Sequence, residues 1–287
     1  MAKVFALDQN FFRSTELESV IAAEPTAKFV LLDIALLEMA KGEKWWETMR
    51  GSLAILSNKR GRILASISIA EALRYEMDTL RCAQPNMVCK ESTSWLRALV
   101  SELATNDPDG PVVARFKALL PAVQHELSLD ELDHAKNLNR LKDTTEKIKT
   151  FFGQAGMKAL KHPGCTTGER LAAVYVMASV LAKDFLVEKG HSPARVRNFL
   201  KGNPLLFRYY LALVRHGMEW ARMGGIENLI PEKATNDAID QQYVVAGSFF
   251  DGLLSREGKV KTADQELRLM LSIKNPGGIT IPSIKSQ

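Results

Sequence analysis

"KFVLLDIALLEMAKG" (residues 28–42) changes period in mid-course, and that change decides the fold. Phe29 to Leu32 form an unbroken apolar run, the mark of a strand buried on both faces. Asp33 stops the run, and from Ile34 to Met39 the spacing becomes that of a helix ending near Gly42. A strand handing directly to a helix is the repeating unit of a parallel sheet covered by helices. The same grammar opens the chain: in "KVFALDQNFFR" (residues 3–13) Lys3 to Leu7 read as a buried strand that stops on Asp8. Thr15 and Glu18 then fit a capping box for a short helix closed by Pro25.

Outward from these two strands the pattern shifts twice. Residues 45–73, "WWETMRGSLAILSNKRGRILASISIAEAL", read as helical, interrupted at Gly51 and Gly61. From about Leu73 to Asn203 amphipathic helical stretches follow one another, separated by "NDPDGP", "KHPG", "KGHSP" and "KGNP", with no strand signal. Near the end "NDAIDQQYVVAGSFFDG" (236–252) reads as a helix and Leu253 to Ser255 as a short buried strand. A loop and a helix follow, with Thr262 and Gln265 as its capping box. Neither end alone can hide a parallel sheet, so both belong to one α/β domain interrupted by an all-α insertion. The boundaries on this reading are 1–74 for the front half, 75–203 for the insertion and 204–287 for the back half.

With 287 residues, 46% of them apolar and 25% charged, the composition is that of a soluble globular protein. No apolar run reaches the roughly 20 residues of a membrane helix, and "MAKVF" carries no secretory leader, so a cytoplasmic location is expected. Three cysteines without a CxxC pair fit reduced thiols. The net charge of +5 is concentrated: between residues 190 and 222 stand Arg195, Arg197, Lys201, Arg208, Arg215 and Arg222, with Glu219 as the only acid.

Ligands of an open parallel sheet bind outside the carboxyl ends of its strands. Asp8 and Asp33 stop at such ends, and Glu38 follows within the next helix. Asp237 and Asp240 open the late helix on one face at i, i+3, and Glu257 returns to the same rim after the last strand. Asp251 shares the helix face of Asp240 but lies about 16 Å further along at ~1.5 Å per residue, which puts it at the opposite pole. Each acid has an ordinary alternative: Asp8 suits a turn, Asp33 and Asp237 suit helix caps, and Glu257 a loop. Two carboxylates about 4 Å apart repel by roughly 4 kcal/mol at an effective dielectric near 20, so a convergence of acids calls for protons or cations. Oxygen-only ligands suit Mg²⁺ or Mn²⁺, and no histidine or cysteine spacing suggests zinc.

"LDQN", "LLDIALLEMAKG" and "NDAIDQQYVVAGSFFDGLLSREGKV", in that order, resemble the signature segments of PIN-domain nucleases. The resemblance covers about 75 residues at the front and 60 at the back. It implies a PIN-like parallel sheet sandwiched by helices, and metal-dependent hydrolysis of RNA phosphodiester bonds by an endoribonuclease. Catalytic acids would be Asp8, Glu38, Asp240 and Glu257. Metal ligands would be drawn from Asp8, Glu38, Asp237 and Asp240, with Asn10 and Ser255 in support. Glu257 departs from the family, which usually has aspartate after the Ser-Arg pair. Many relatives are toxins restrained by an antitoxin, which implies a regulatory protein partner; self-association into a homo-oligomer is a further expectation. Two other readings stand beside this one: a structure-selective DNA nuclease, and an inactive nucleic-acid-binding scaffold.

Arg208, Arg215 and Arg222 recur every seven residues and so form one stripe of a helix. As a solvated face the stripe carries no function. As a phosphate track it would lead single-stranded nucleic acid toward the acids, joined by Arg195, Arg197, Lys201 and the "NKRGR" cations.

Overall fold

Why a chain with so few strand signals builds a sheet is answered by which strands those signals mark. The computed structural model describes residues 2–83, 87–126 and 133–273. Its strands are β1 (Val4–Leu7), β2 (Lys28–Leu31), β3 (Ile63–Ser66), β4 (Val88–Cys89) and β5 (Gly252–Leu254), in spatial order β4-β3-β2-β1-β5. All neighbours are parallel except the β3–β4 pair. Parallel neighbours need a crossover, which α1 (Thr15–Ala23) provides from β1 to β2, and α2 (Asp33–Ala40) with α3 (Trp45–Ser57) from β2 to β3. Ala6, Leu7, Phe29, Val30 and Leu31 are at most 2% exposed, as strands covered on both faces must be. The mixed α/β class and a mostly parallel sheet are therefore present.

Register sets the functional rim. Leu7 stands opposite both Leu31 and Leu254, so the carboxyl ends of β1, β2 and β5 are flush. The residues that follow, Asp8, Leu32 and Ser255, emerge side by side.

Several local expectations change. β3 lies inside the stretch expected to be helical, while α3 runs unbroken through Gly51. "ILAS" has no alternation because the strand is buried, and a short apolar run cannot be told from buried helix by periodicity. β4 has two residues, too few to leave a pattern. The cap of α1 is Ser14, whose Oγ accepts from the Glu16 N–H, not Thr15. Helix α12 (Gly258–Leu271) already encloses Thr262 and Gln265, so they form no capping box. Helix α11 (Pro231–Gly247) starts five residues before "NDAID", with proline pre-set for the first helical position, and so Asp237 and Asp240 lie in its interior. It also ends before Asp251. That residue sits at the opposite pole by another route: its Oδ2 accepts from the N–H of Val4, at the start of β1, at 2.6 Å.

The chain divides into two compact units. The sheet unit comprises Met1–Ala72, Ala83–Leu132 and Gln242–Asp264, and so includes α5 (Lys90–Thr105) and α6 (Pro111–Glu126). The other comprises Leu73–Cys82, Asp133–Gln241 and Gln265–Gln287. The insertion expected at 75–203 is thus divided: residues 83–132 belong with the sheet, and 204–241 belong with the helices. Every regular element among the described residues of the second unit is helical. There α10 (Leu205–Met223) packs on α7 (His134–Lys161) and α8 (Thr167–Glu188). Gly217 allows the approach to α7, since a Cβ would stand 2.8 Å from Ile148 Cδ1 and 2.9 Å from Thr144 Cγ2. Buried Glu76 accepts the Leu205 and Leu206 N–H groups at 3.0 and 2.8 Å, satisfying the first turn of α10.

Asp33 caps a helix other than its own. Its Oδ2 accepts the Ile69 N–H at 2.9 Å, at the start of α4 (Ile69–Thr79), while its own N–H donates to Ser66 Oγ at the end of β3. Asp33→Ala is expected to cost about 1 kcal/mol, seen as a melting midpoint lower by ~2–4 °C, whereas Asp33→Asn retains most of the stability.

Candidate active site at the strand ends

The flush strand ends put Asp8 beside Ser255. Asp8 is 3% exposed and Ser255 fully buried; Ser255 Oγ donates to Asp8 Oδ2 at 2.5 Å, and the Asp8 N–H donates to the Leu254 carbonyl at 3.0 Å. Ser255 Oγ also accepts the Glu257 N–H at 3.0 Å, a short turn that fixes Glu257 two residues beyond β5. Asp8 begins a 3-10 turn (Gln9–Phe11), which carries Asn10 over the same rim. The Asn10 amide donates to Glu257 Oε1 at 3.0 Å, and Lys259 Nζ lies 3.5 Å from Glu257 Oε2. Glu38, late in α2, accepts the Tyr243 hydroxyl on Oε2 at 2.6 Å.

These acids feel one another. Burial pushes the Asp8 carboxyl above its usual range; the Ser255 hydroxyl and the Asn10 N–H partly offset this, and the charge of Glu257 adds to it. Burial raises Glu38 as well, opposed by the Tyr243 hydroxyl and Lys41 and reinforced by Asp8 and Glu257. Tyr243, 1% exposed, is raised well above the usual phenol value by burial and then by Glu38, so it stays a donor. The sheet unit thus brings together Asp8, Asn10, Glu38, Ser255 and Glu257.

Tyr243 is the member that sequence reading missed. Its only signal is that a tyrosine hydroxyl inside an apolar helix needs a partner. Asp237 and Asp240 lie on the part of α11 that belongs to the helical unit. There Asp237 is buried with Oδ2 3.6 Å from His216 Nε2, and Asp240 is half-buried.

The arginine stripe is largely occupied within the helical unit. Arg208 and Arg215 are each 6% exposed. Arg215 pairs with Glu266 at 2.6 Å and Glu219 at 3.0 Å, and Arg208 donates to the Asn203 carbonyl. Burial pushes Arg208 down to about 10. Arg222 donates to the Leu160 carbonyl. Arg195 and Arg197, on α9 (Pro193–Leu200), and Lys201 are exposed. In the sheet unit Arg62 is committed to the Ala27 and Glu24 carbonyls and Arg60 to Ser101 Oγ.

Among the described residues no three His, Cys, Asp or Glu side chains are disposed to hold a metal ion. In kind, the donors at the rim suit a hard cation: they are carboxylates, and buried Asp8 and half-buried Glu38 are made more basic by desolvation and by neighbouring negative charge. In position, they are held by Ser255, Asn10 and Tyr243.

Raised carboxyl pKa values mean that the folded protein binds more protons than the unfolded chain above the ordinary values. The contribution of Asp8 and Glu38 to stability therefore falls as pH rises through that window. In chelator, Asp8→Asn is expected to melt at or above the wild-type temperature, with an advantage that grows as pH rises above about 4. A pH-independent difference between the two melting curves would contradict the assigned coupling.

No family model, characterised protein or solved structure matches the chain.

Proposed function

We propose that the strand-end acids form the active centre of a metal-dependent nuclease that hydrolyses phosphodiester bonds, with single-stranded RNA as substrate. The observation that carries this reading is the pair of mutually repelling carboxylates, buried Asp8 and half-buried Glu38, at the carboxyl rim of the parallel strands. The resemblance of the three acid-bearing segments to PIN-domain nucleases selects phosphodiester chemistry and RNA. The net charge of +5 suits a polyanion.

Asp8 and Glu38 would hold Mg²⁺ or Mn²⁺. The bound ion would lower the pKa of the attacking water and stabilise charge on the phosphate. Ser255 occupies Asp8 Oδ2 and fixes the carboxylate plane. The Tyr243 hydroxyl does the same at Glu38 Oε2. Asn10 holds Glu257 at the cleft wall through Oε1. A second reading follows from the donors already bound to each acid: a protein that binds single-stranded nucleic acid at this rim without cleaving it.

Purified protein is expected to cleave single-stranded RNA with Mg²⁺ or Mn²⁺ and to stop in chelator. Asp8→Asn and Glu38→Gln should lower the rate by about 100-fold or more. Ser255→Ala and Tyr243→Phe should lower it by roughly 10–100-fold, because they release a carboxylate from its orientation. Asp251→Asn, at the opposite pole, should keep activity. Cleavage unchanged in chelator would remove the metal mechanism. Tight RNA binding without cleavage would favour the second reading.

A further inference from the structure

A cleft of about 480 Å³ opens beside the carboxylates, lined by Gln9, Asn10, Arg13, Arg256 and Glu257. That volume is within the ~300–1,000 Å³ of small-ligand sites, yet among the described residues no apolar side chain lines this cleft. Its walls carry two guanidinium groups, two side-chain amides and one carboxylate, and the carboxylate already has Lys259 Nζ at 3.5 Å and the Asn10 amide at 3.0 Å. The electrostatic balance of the cleft is cationic, one residue away from the acidic Asp8.

The two arginines differ in a useful way. Arg13 is braced against α3: Nε donates to Ser52 Oγ at 3.0 Å and Nη2 to the Thr48 carbonyl at 2.9 Å, which leaves Nη1 uncommitted. Arg256 is exposed and makes no hydrogen bond or ion pair among the described residues. A braced fork and an uncommitted one facing a single polar cleft match the planar, two-point recognition of phosphate oxygens, at little ordering cost for Arg13.

We propose that Arg13 and Arg256 form a phosphate clamp that seats the backbone of a single-stranded polynucleotide next to the Asp8–Glu38 centre. This rests on the proposed function and names the residues that position its substrate. The clamp reads charge and spacing and makes no base contact, so it serves every sequence alike.

The test measures binding apart from cleavage. A fluorescein-labelled single-stranded RNA oligonucleotide is titrated by anisotropy at several salt concentrations into Asp8→Asn protein, alone and combined with Arg256→Gln, Arg13→Gln or both. Lys28→Gln, an exposed lysine at the start of β2, controls for net charge. Arg256→Gln has no intramolecular bond to lose, so its fold is secure even where Arg13→Gln loosens α3. Each arginine substitution is expected to weaken binding about 10-fold and reduce the salt slope by about 0.7, the pair by about 1.4, while Lys28→Gln does neither. In otherwise wild-type protein, Arg256→Gln should raise KM with kcat little changed. An unchanged slope in Arg256→Gln, an equal effect of Lys28→Gln, or no binding by the Asp8→Asn protein overturns the clamp. Arginine-dependent binding by a protein that never cleaves would retain the clamp and reject hydrolysis. Cleavage with arginine-independent binding would do the reverse.

Discussion

Asp8 and Ser255 stand 247 positions apart in the chain and 2.5 Å apart in space. Their hydrogen bond is possible only because β5 pairs with β1 in parallel, with Leu254 opposite Leu7. A one-residue slip would turn Ser255 to the other face of the sheet and leave Asp8 buried without its hydroxyl donor. The same pairing delivers Glu257 to Asn10 and thereby forms the wall of the cleft. A buried carboxylate without donors would be strongly disfavoured, so the site's position and the sheet's register support each other.

The parts of this arrangement visible in the sequence were those where two periods meet. β1 and β2 each belong to an apolar run stopped by an acid, Asp8 and Asp33, and α2 starts at the second of these. β3 could not be read in this way, because a strand buried on both faces loses the alternation that identifies it. Tyr243 was hidden for a related reason: within an apolar helix, nothing separates a tyrosine that fills space from one that aims its hydroxyl at Glu38. Asp33 is a cap of α4 rather than of α2, through a contact between residues 36 positions apart that no local rule contains.

The arginines show a different limit. A repeat of seven establishes that Arg208, Arg215 and Arg222 share a helix face, without saying whether that face meets solvent or another helix. Here it meets neighbours, and the charges are spent on Glu219, Glu266 and backbone carbonyls. The cations that open onto a cleft, Arg13 and Arg256, belong to no stripe and come from opposite ends of the chain. Periodicity detects elements; sites assembled from single residues on separate loops leave it no signal.

The strand order also fixes when the site can exist. β1 is the first of the described strands in chain order and β5 the last, so Asp8 must wait for Ser255 until 247 further residues have been made. At ~5–20 residues per second that interval is roughly 10–50 s. Until β5 is made, the edge of β1 that β5 covers in the finished sheet lacks that partner. The acids acquire their shared environment only once β5 has been made, and a chain interrupted before residue 252 would carry Asp8 and Glu38 but neither the strand that pairs with β1 nor Glu257.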